Sequence, residues 1–149
     1  MRDLNKTLIT LLILLYVLIM TVEASAQPSL KLSPTSSDAK KLIELIELAI
    51  KGGEINNISS ALAREVTVNI RNAETGLFSS NQSVVILQNY FSSRRILQFE
   101  FTTKQNEHEP FYATGGGSFA IKGRREHFQI YVGLTIKDGR LMISQFNVY

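Results

Sequence analysis

The chain has no cysteine and no tryptophan, and only three prolines and two histidines in 149 residues. Without thiols there is no disulfide, no thiolate metal site, no cysteine nucleophile and no cysteine to carry a lipid. Such a domain must hold together by packing alone. Charge of one sign is also scarce: 16 Lys and Arg face 13 Asp and Glu, a net charge of +3. Nucleic-acid binders gather basic residues on one face or stripe. Arg94-Arg95 and Arg124-Arg125 are instead isolated pairs at element boundaries, read as solvated turns, so no nucleic-acid partner is expected. No cofactor is expected, and the two histidines lack the converging partners that a metal site needs.

One long apolar run is present. Arg2 and Lys6 precede Leu8 to Val22, which Glu23 closes, and Ala24-Ser25-Ala26 follows. A charged start, an apolar middle and a small-x-small end form a secretory signal peptide. A membrane-spanning helix needs about twenty apolar residues, more than this run offers. The expectation is cleavage after Ala26 and export to the periplasm or the medium, with membrane attachment only through an uncleaved leader. Arg2 and Lys6 balance Asp3 and Glu23, so the mature net charge stays at +3. The expected organisation is a signal peptide over 1–26, a mobile lead over 27–36 and a single domain over 37–149.

Ser36 or Ser37 can cap a helix with Asp38 in its first turn, and Gly52-Gly53 stops it. Its apolar set is Leu42, Leu45, Ile46 and Ala49, widened by Ile43, Leu48 and Ile50, with Glu44, Glu47 and Lys51 on a narrow wet side. A second helix is expected over Ile58 to Ala63, capped by Asn56 or Asn57. Val66, Val68 and Ile70 alternate through a half-buried strand from Glu65 to Arg71. Asn72 to Gly76 turns the chain. Ser80 is expected to cap a third helix reaching about Ser93. Four strands follow: Ile96 to Gln105, with Leu97, Phe99 and Phe101 on one side; Phe111 to Ile121; Glu126 to Ile136; and Arg140 to Tyr149. Asp138-Gly139 marks a tight hairpin, because a two-residue primed turn needs positive φ. Asn57-Ile58-Ser59 and Asn81-Gln82-Ser83 match the glycosylation pattern but read better as polar residues at helix starts. The order α-α-β-α-β-β-β-β segregates helices from strands, which argues α+β with an antiparallel sheet.

From Ala49 to Tyr149 the chain resembles an exported bacterial family, domain of unknown function 4783, of the nuclear-transport-factor-2-like (cystatin-like) superfamily. The residues that carry the resemblance are Ala49-Ile50-Lys51-Gly52, Phe78-Ser79-Ser80, Tyr90-Phe91, Tyr112-Ala113-Thr114-Gly115, Phe128-Gln129-Ile130-Tyr131-Val132 and Ile143-Ser144-Gln145-Phe146. The resemblance implies a strongly bent sheet wrapped around a helix, a cone with a pocket. It brings no activity with it. Gly115-Gly116-Gly117 lies between strands rather than ahead of a helix, so a sharp bend explains it better than a phosphate cradle.

Three functional expectations follow. The leading one is a non-catalytic binding module with an unidentified protein partner. It would use the polar sheet face, where Gln98, Thr102, Thr114, Gln129, Tyr131 and Thr135 sit with little charge, and a homodimer through that face is a specific form of it. Depleted charge with enriched aromatics marks interfaces, although Thr and Tyr also simply favour strands. The second is a pocket for a small apolar ligand, lined by Leu87, Tyr90, Phe91, Phe99, Phe119 and Phe128, with Tyr112 or Tyr90 at its polar end. The third is an isomerase or dehydratase that uses His108, His127, Glu65, Glu100 or Glu126 as base. Those groups read as surface residues, and no catalytic residue is assigned.

Overall fold

Thr35, one residue ahead of the expected cap, starts helix α1 (Ser36–Gly52). Its hydroxyl accepts from the Asp38 N–H, and the Asp38 carboxylate accepts from the Thr35 N–H in return. Each bond satisfies a donor that the helix end would otherwise leave open. Gly53, at φ 68°, closes α1 in the left-handed conformation that glycine adopts without strain. The computed structural model describes residues 33–149. The expected leader, its expected cleavage site and the first part of the expected lead lie outside the described residues.

After α1 a short 3-10 helix spans Ile55–Ala61 and buries Ile55 and Ile58. It begins earlier than the sequence suggests, and no side chain caps it. Asn56 instead donates its main-chain N–H to Gln88 Oε1, and Gln88 Nε2 donates to the Gly53 carbonyl. Strand β1 (Leu62–Ile70) turns into β2 (Thr75–Ser79), then helix α2 (Ser80–Ser92), β3 (Arg95–Gln105), β4 (Tyr112–Ile121), β5 (Arg124–Lys137) and β6 (Arg140–Val148). The expected order holds, with the short edge strand β2 added where the sequence reads a turn and two apolar residues. Ser79, not Ser80, caps α2, and Gln82 completes its capping box.

The six strands form one curved, unclosed sheet in the order β2-β1-β6-β5-β4-β3. The last four strands run as the expected antiparallel meander. β1 and β6 pair in parallel, a departure from a purely antiparallel sheet. Parallel neighbours need a long connection, and the intervening β2, α2 and meander provide it. Both tight turns of the meander have the positive φ pair of a primed turn, at Lys122-Gly123 and at Asp138-Gly139.

Two bulges bend β3, leaving Leu97 and Thr102 as extra residues against β4. Leu97 is therefore pushed out to 42% exposure and does not share the buried side of Phe99 and Phe101. Opposite them, a Cβ on Gly115 would lie 2.0 Å from the Glu100 carbonyl oxygen, and one on Gly117 would lie 2.1 Å from that of Gln98. The glycine run is thus where the β3 main chain closes down onto β4; the bulges lie on β3, while Gly115-Gly116-Gly117 pairs with β5 without a break in register.

The inner sheet face packs on both helices. Phe128 is the hub: Phe99 stacks on it at 5.6 Å, Phe119 tilts against it at 5.6 Å, and Phe91 of α2 meets it edge-on at 6.5 Å. From α1 come Ala39, Ile43, Ile46, Ala49 and Ile50. The stripe is rotated from the expected one, for Leu45 and Leu48 face solvent. Glu47, expected on the wet side, turns toward β3.

Candidate functional site: a groove on the outer sheet face

Alternation along β4 and β5 sends one set of side chains to the helices and the other outward. Ile130 and Val132 point in, while Gln129 and Tyr131 point out. Opposite Gln129 stands Gly116, whose missing side chain leaves the outer face bare. A cavity of about 540 Å³ opens there, lined by Thr102, Thr114, Gln129, Tyr131 and Tyr149 around Gly115 and Gly116. A second, of about 500 Å³, shares Gly116, Gln129 and Tyr149 and extends to Arg71 and His127. The two form one groove across the middle of the sheet.

Its walls are held by identifiable contacts. Tyr131 stacks on Tyr112 with ring centroids 5.8 Å apart. Tyr131 also leans over Gly133, where a Cβ would lie 3.3 Å from its ring. Tyr149 pairs with Gln129 through two main-chain hydrogen bonds of 2.9 and 3.1 Å, so both side chains stand on the outer face. The Tyr149 hydroxyl accepts from Asn147 Nδ2 at 3.0 Å. Asn147 is only 6% exposed, and its Oδ1 is buried without a partner. Ser118 is fully buried on the same face because Arg125 lies over it and donates to its hydroxyl from Nε and Nη2. Arg125 is therefore solvent-exposed as the sequence suggests, but on the sheet face rather than in a turn.

The expected interface residues divide. Thr102, Thr114, Gln129 and Tyr131 meet in the groove. Gln98 lies beside Leu97 in a separate hollow at the β3 edge. Thr135 sits further along β5, opposite Met142. The expected pocket residues also divide. Leu87, Phe91, Phe99, Phe119 and Phe128 are at most 4% exposed and pack against one another in the core. Tyr112 is on the opposite face, against Tyr131, and cannot line a space between helix and sheet.

Tyr90 stands at the rim. The Arg94 guanidinium covers its ring at 3.7 Å, and Arg94 Nη1 donates to its carbonyl at 2.7 Å. Burial pushes the Tyr90 hydroxyl above its ordinary pKa against the pull of Arg94, and Glu126 adds to the rise. Arg94 is thus held on an aromatic shelf, another correction to the solvated-turn reading.

Of the candidate bases, His108 is in an exposed loop against Gln105. Glu65 and Glu100 are exposed on strands, Glu126 is exposed at the rim, and His127 is exposed at one end of the groove. Among the described residues no three His, Cys, Asp or Glu converge as metal ligands, and no helix is long and apolar enough to cross a membrane. Sequence reading missed Gly116, Tyr149 and Arg71 as groove residues, and Asn147 buried behind Tyr149. Alternation back from Tyr149 would have found Asn147, but the irregular pairing around Ser144 breaks the parity earlier in β6.

The family model described as "Domain of unknown function (DUF4783)" matches residues 43–148. The chain belongs to the DUF4783 family. A DUF4783 protein from Bacteroides uniformis matches with a TM-score of 0.63 at 16% identity, over 70% of this chain and 93% of that one. A DUF4783 protein from Bacteroides ovatus matches with a TM-score of 0.59 at 14% identity, over 70% and 90%. An LEH-like epoxide hydrolase from M. tuberculosis matches with a TM-score of 0.57 at 12% identity, over 76% and 82%. At these identities the likeness is one of fold. This DUF4783 domain has the α+β, nuclear-transport-factor-2-like architecture. No curated protein matches the chain significantly.

Proposed function

We propose that this DUF4783 protein is an exported, non-catalytic binding module that meets its partner with the outer sheet face. One contrast carries the reading. The side chains that would line an internal pocket close on one another as core, whereas the outer face carries an open groove with hydroxyl, amide and tyrosine walls. Ligand sites combine concavity with a few placed polar groups, and here that combination lies outside.

An apolar dye such as anilinonaphthalene sulfonate separates the two locations. Residues 27–149 should leave it dark under native conditions, because the interior is filled. Bright fluorescence of the native protein that Phe128→Trp abolishes would place an open pocket inside and overturn the reading.

A further inference from the structure

We propose that the Gly116 groove binds carbohydrate, with an acidic sugar favoured at its Arg71 end. This rests on the outer face being the working surface and names the ligand class for it. The central stretch has no charged lining residue; it has Thr102, Thr114, Gln129 and the rings of Tyr131 and Tyr149. A pyranose ring presents the complementary pattern: C–H groups on its faces, for aromatic contact, and hydroxyls around its edge, for amides and hydroxyls. An apolar ligand would leave those polar groups unpaired, and a highly charged one would find no counter-charge in the middle.

Two further observations point the same way. Asn147 Oδ1 is a buried acceptor with no donor, beneath the Tyr149 hydroxyl. Buried polar atoms in folded proteins are rarely left unpaired, and a small shift of the Tyr149 ring, its face still against the sugar, would admit a sugar hydroxyl as the donor. The adjoining stretch adds Arg71 and His127, and a uronate would find its counter-charge at Arg71; Glu126 stands with both residues in the next hollow, outside this stretch. Glu100 stands opposite Gly116 on β3 but lines neither stretch of the groove. Gly116 is what keeps the floor open: a Cβ would sit 3.2 Å from the Phe128 carbonyl oxygen and project toward the sugar.

The test is residues 27–149 on an array of defined oligosaccharides that covers neutral hexoses, amino sugars and uronates, followed by titration of each hit in solution. The expected result is binding to uronate-bearing chains, weakened at least tenfold by Tyr149→Ala and by Gln129→Ala, and several-fold by Arg71→Ala. All three side chains are exposed enough to remove without unfolding the domain, and circular dichroism checks this. Binding to no sugar, or to neutral sugars alone, overturns the proposal. So does uronate binding that survives Tyr149→Ala and Gln129→Ala but vanishes in half-molar salt, which is charge adsorption. Light scattering on the same samples keeps the outer-face reading separable. A dimer lost in Tyr131→Lys, with no sugar bound, would make a second copy the occupant and refute the carbohydrate while leaving the face in use.

Discussion

Glu47 of α1 accepts a hydrogen bond from the main-chain N–H of Phe101 in β3, 3.3 Å away, while Lys104 and Lys51 hold the same carboxylate at 2.9 and 2.7 Å. β3 is an edge strand, so this contact ties the helix to a strand that has only one neighbour. Burial pushes the Glu47 carboxyl upward, but the two ammonium groups and the N–H outweigh it and hold its pKa below the usual range. The folded value is depressed relative to the unfolded one. The contact is therefore at full strength above the ordinary glutamate value of about 4.3 and is lost as pH falls through the folded value. Urea denaturation at stepped pH should show wild type losing stability across this acid range, with a shallower decline in Glu47→Gln. At neutral pH Glu47→Ala should be destabilised by about 1–3 kcal/mol, the range for losing bonds to a charged group. Parallel pH profiles for Glu47→Gln and wild type would refute the assignment.

The glycine run makes a sharper prediction. Gly115→Ala and Gly117→Ala place a methyl within 2.1 Å of a main-chain oxygen of β3. No rotamer relieves that clash, so β3 must part from β4. Each variant should lose more than about 4 kcal/mol, in the exceptional tail for single substitutions, or fail to fold. Gly116→Ala, between them, meets only a 3.2 Å contact and should lose about 1 kcal/mol or less. Thermal melts of the three variants check the order.

Much of this architecture is legible in the sequence, and the rest is hidden for identifiable reasons. Asp138-Gly139 and Gly52-Gly53 announce a turn and a helix stop because the required φ values favour few residue types. Alternation in β5 separates Phe128, Ile130 and Val132 from Gln129 and Tyr131. Parity fails where a strand holds an extra residue: Leu97 looks inward by counting but is pushed out by its bulge. The parallel β1/β6 pair joins segments far apart in sequence, which no local pattern reveals. The groove was half visible. Thr102, Thr114, Gln129 and Tyr131 are outward by alternation, but the floor is a glycine, which announces itself as a bend rather than as an absence of side chain.

The phenylalanine cluster predicts how the interior answers to truncation. Phe91 is fully buried and touches Phe128 and Phe146 edge-on. Phe91→Ala should lose about 3–5 kcal/mol, the range for removing a large buried ring. Such a loss would leave a hole beside Phe128 and Phe146, so xenon or benzene should stabilise Phe91→Ala more than wild type. Equal stabilisation of both would show that the wild-type interior already holds an accessible void.

The rotation of α1 supplies the last test. By sequence Leu45 and Ile46 belong to the same broad apolar face, yet Leu45 is 42% exposed and Leu48 66%, while Ile46 is fully buried. Ala39, Ile43, Ile46, Ala49 and Ile50 fill the buried stripe, Glu47 bonds to β3 beside it, and the two leucines are left in solvent. Leu45→Lys and Leu48→Lys should each change stability by no more than about 0.5 kcal/mol, as expected for surface substitutions. Ile46→Lys places an ammonium group in the hydrophobic core and should prevent folding, because an unpaired charge in an apolar core is heavily penalised. If Leu48→Lys unfolds the domain while Ile46→Lys is tolerated, the helix presents Leu48 rather than Ile46 to the core.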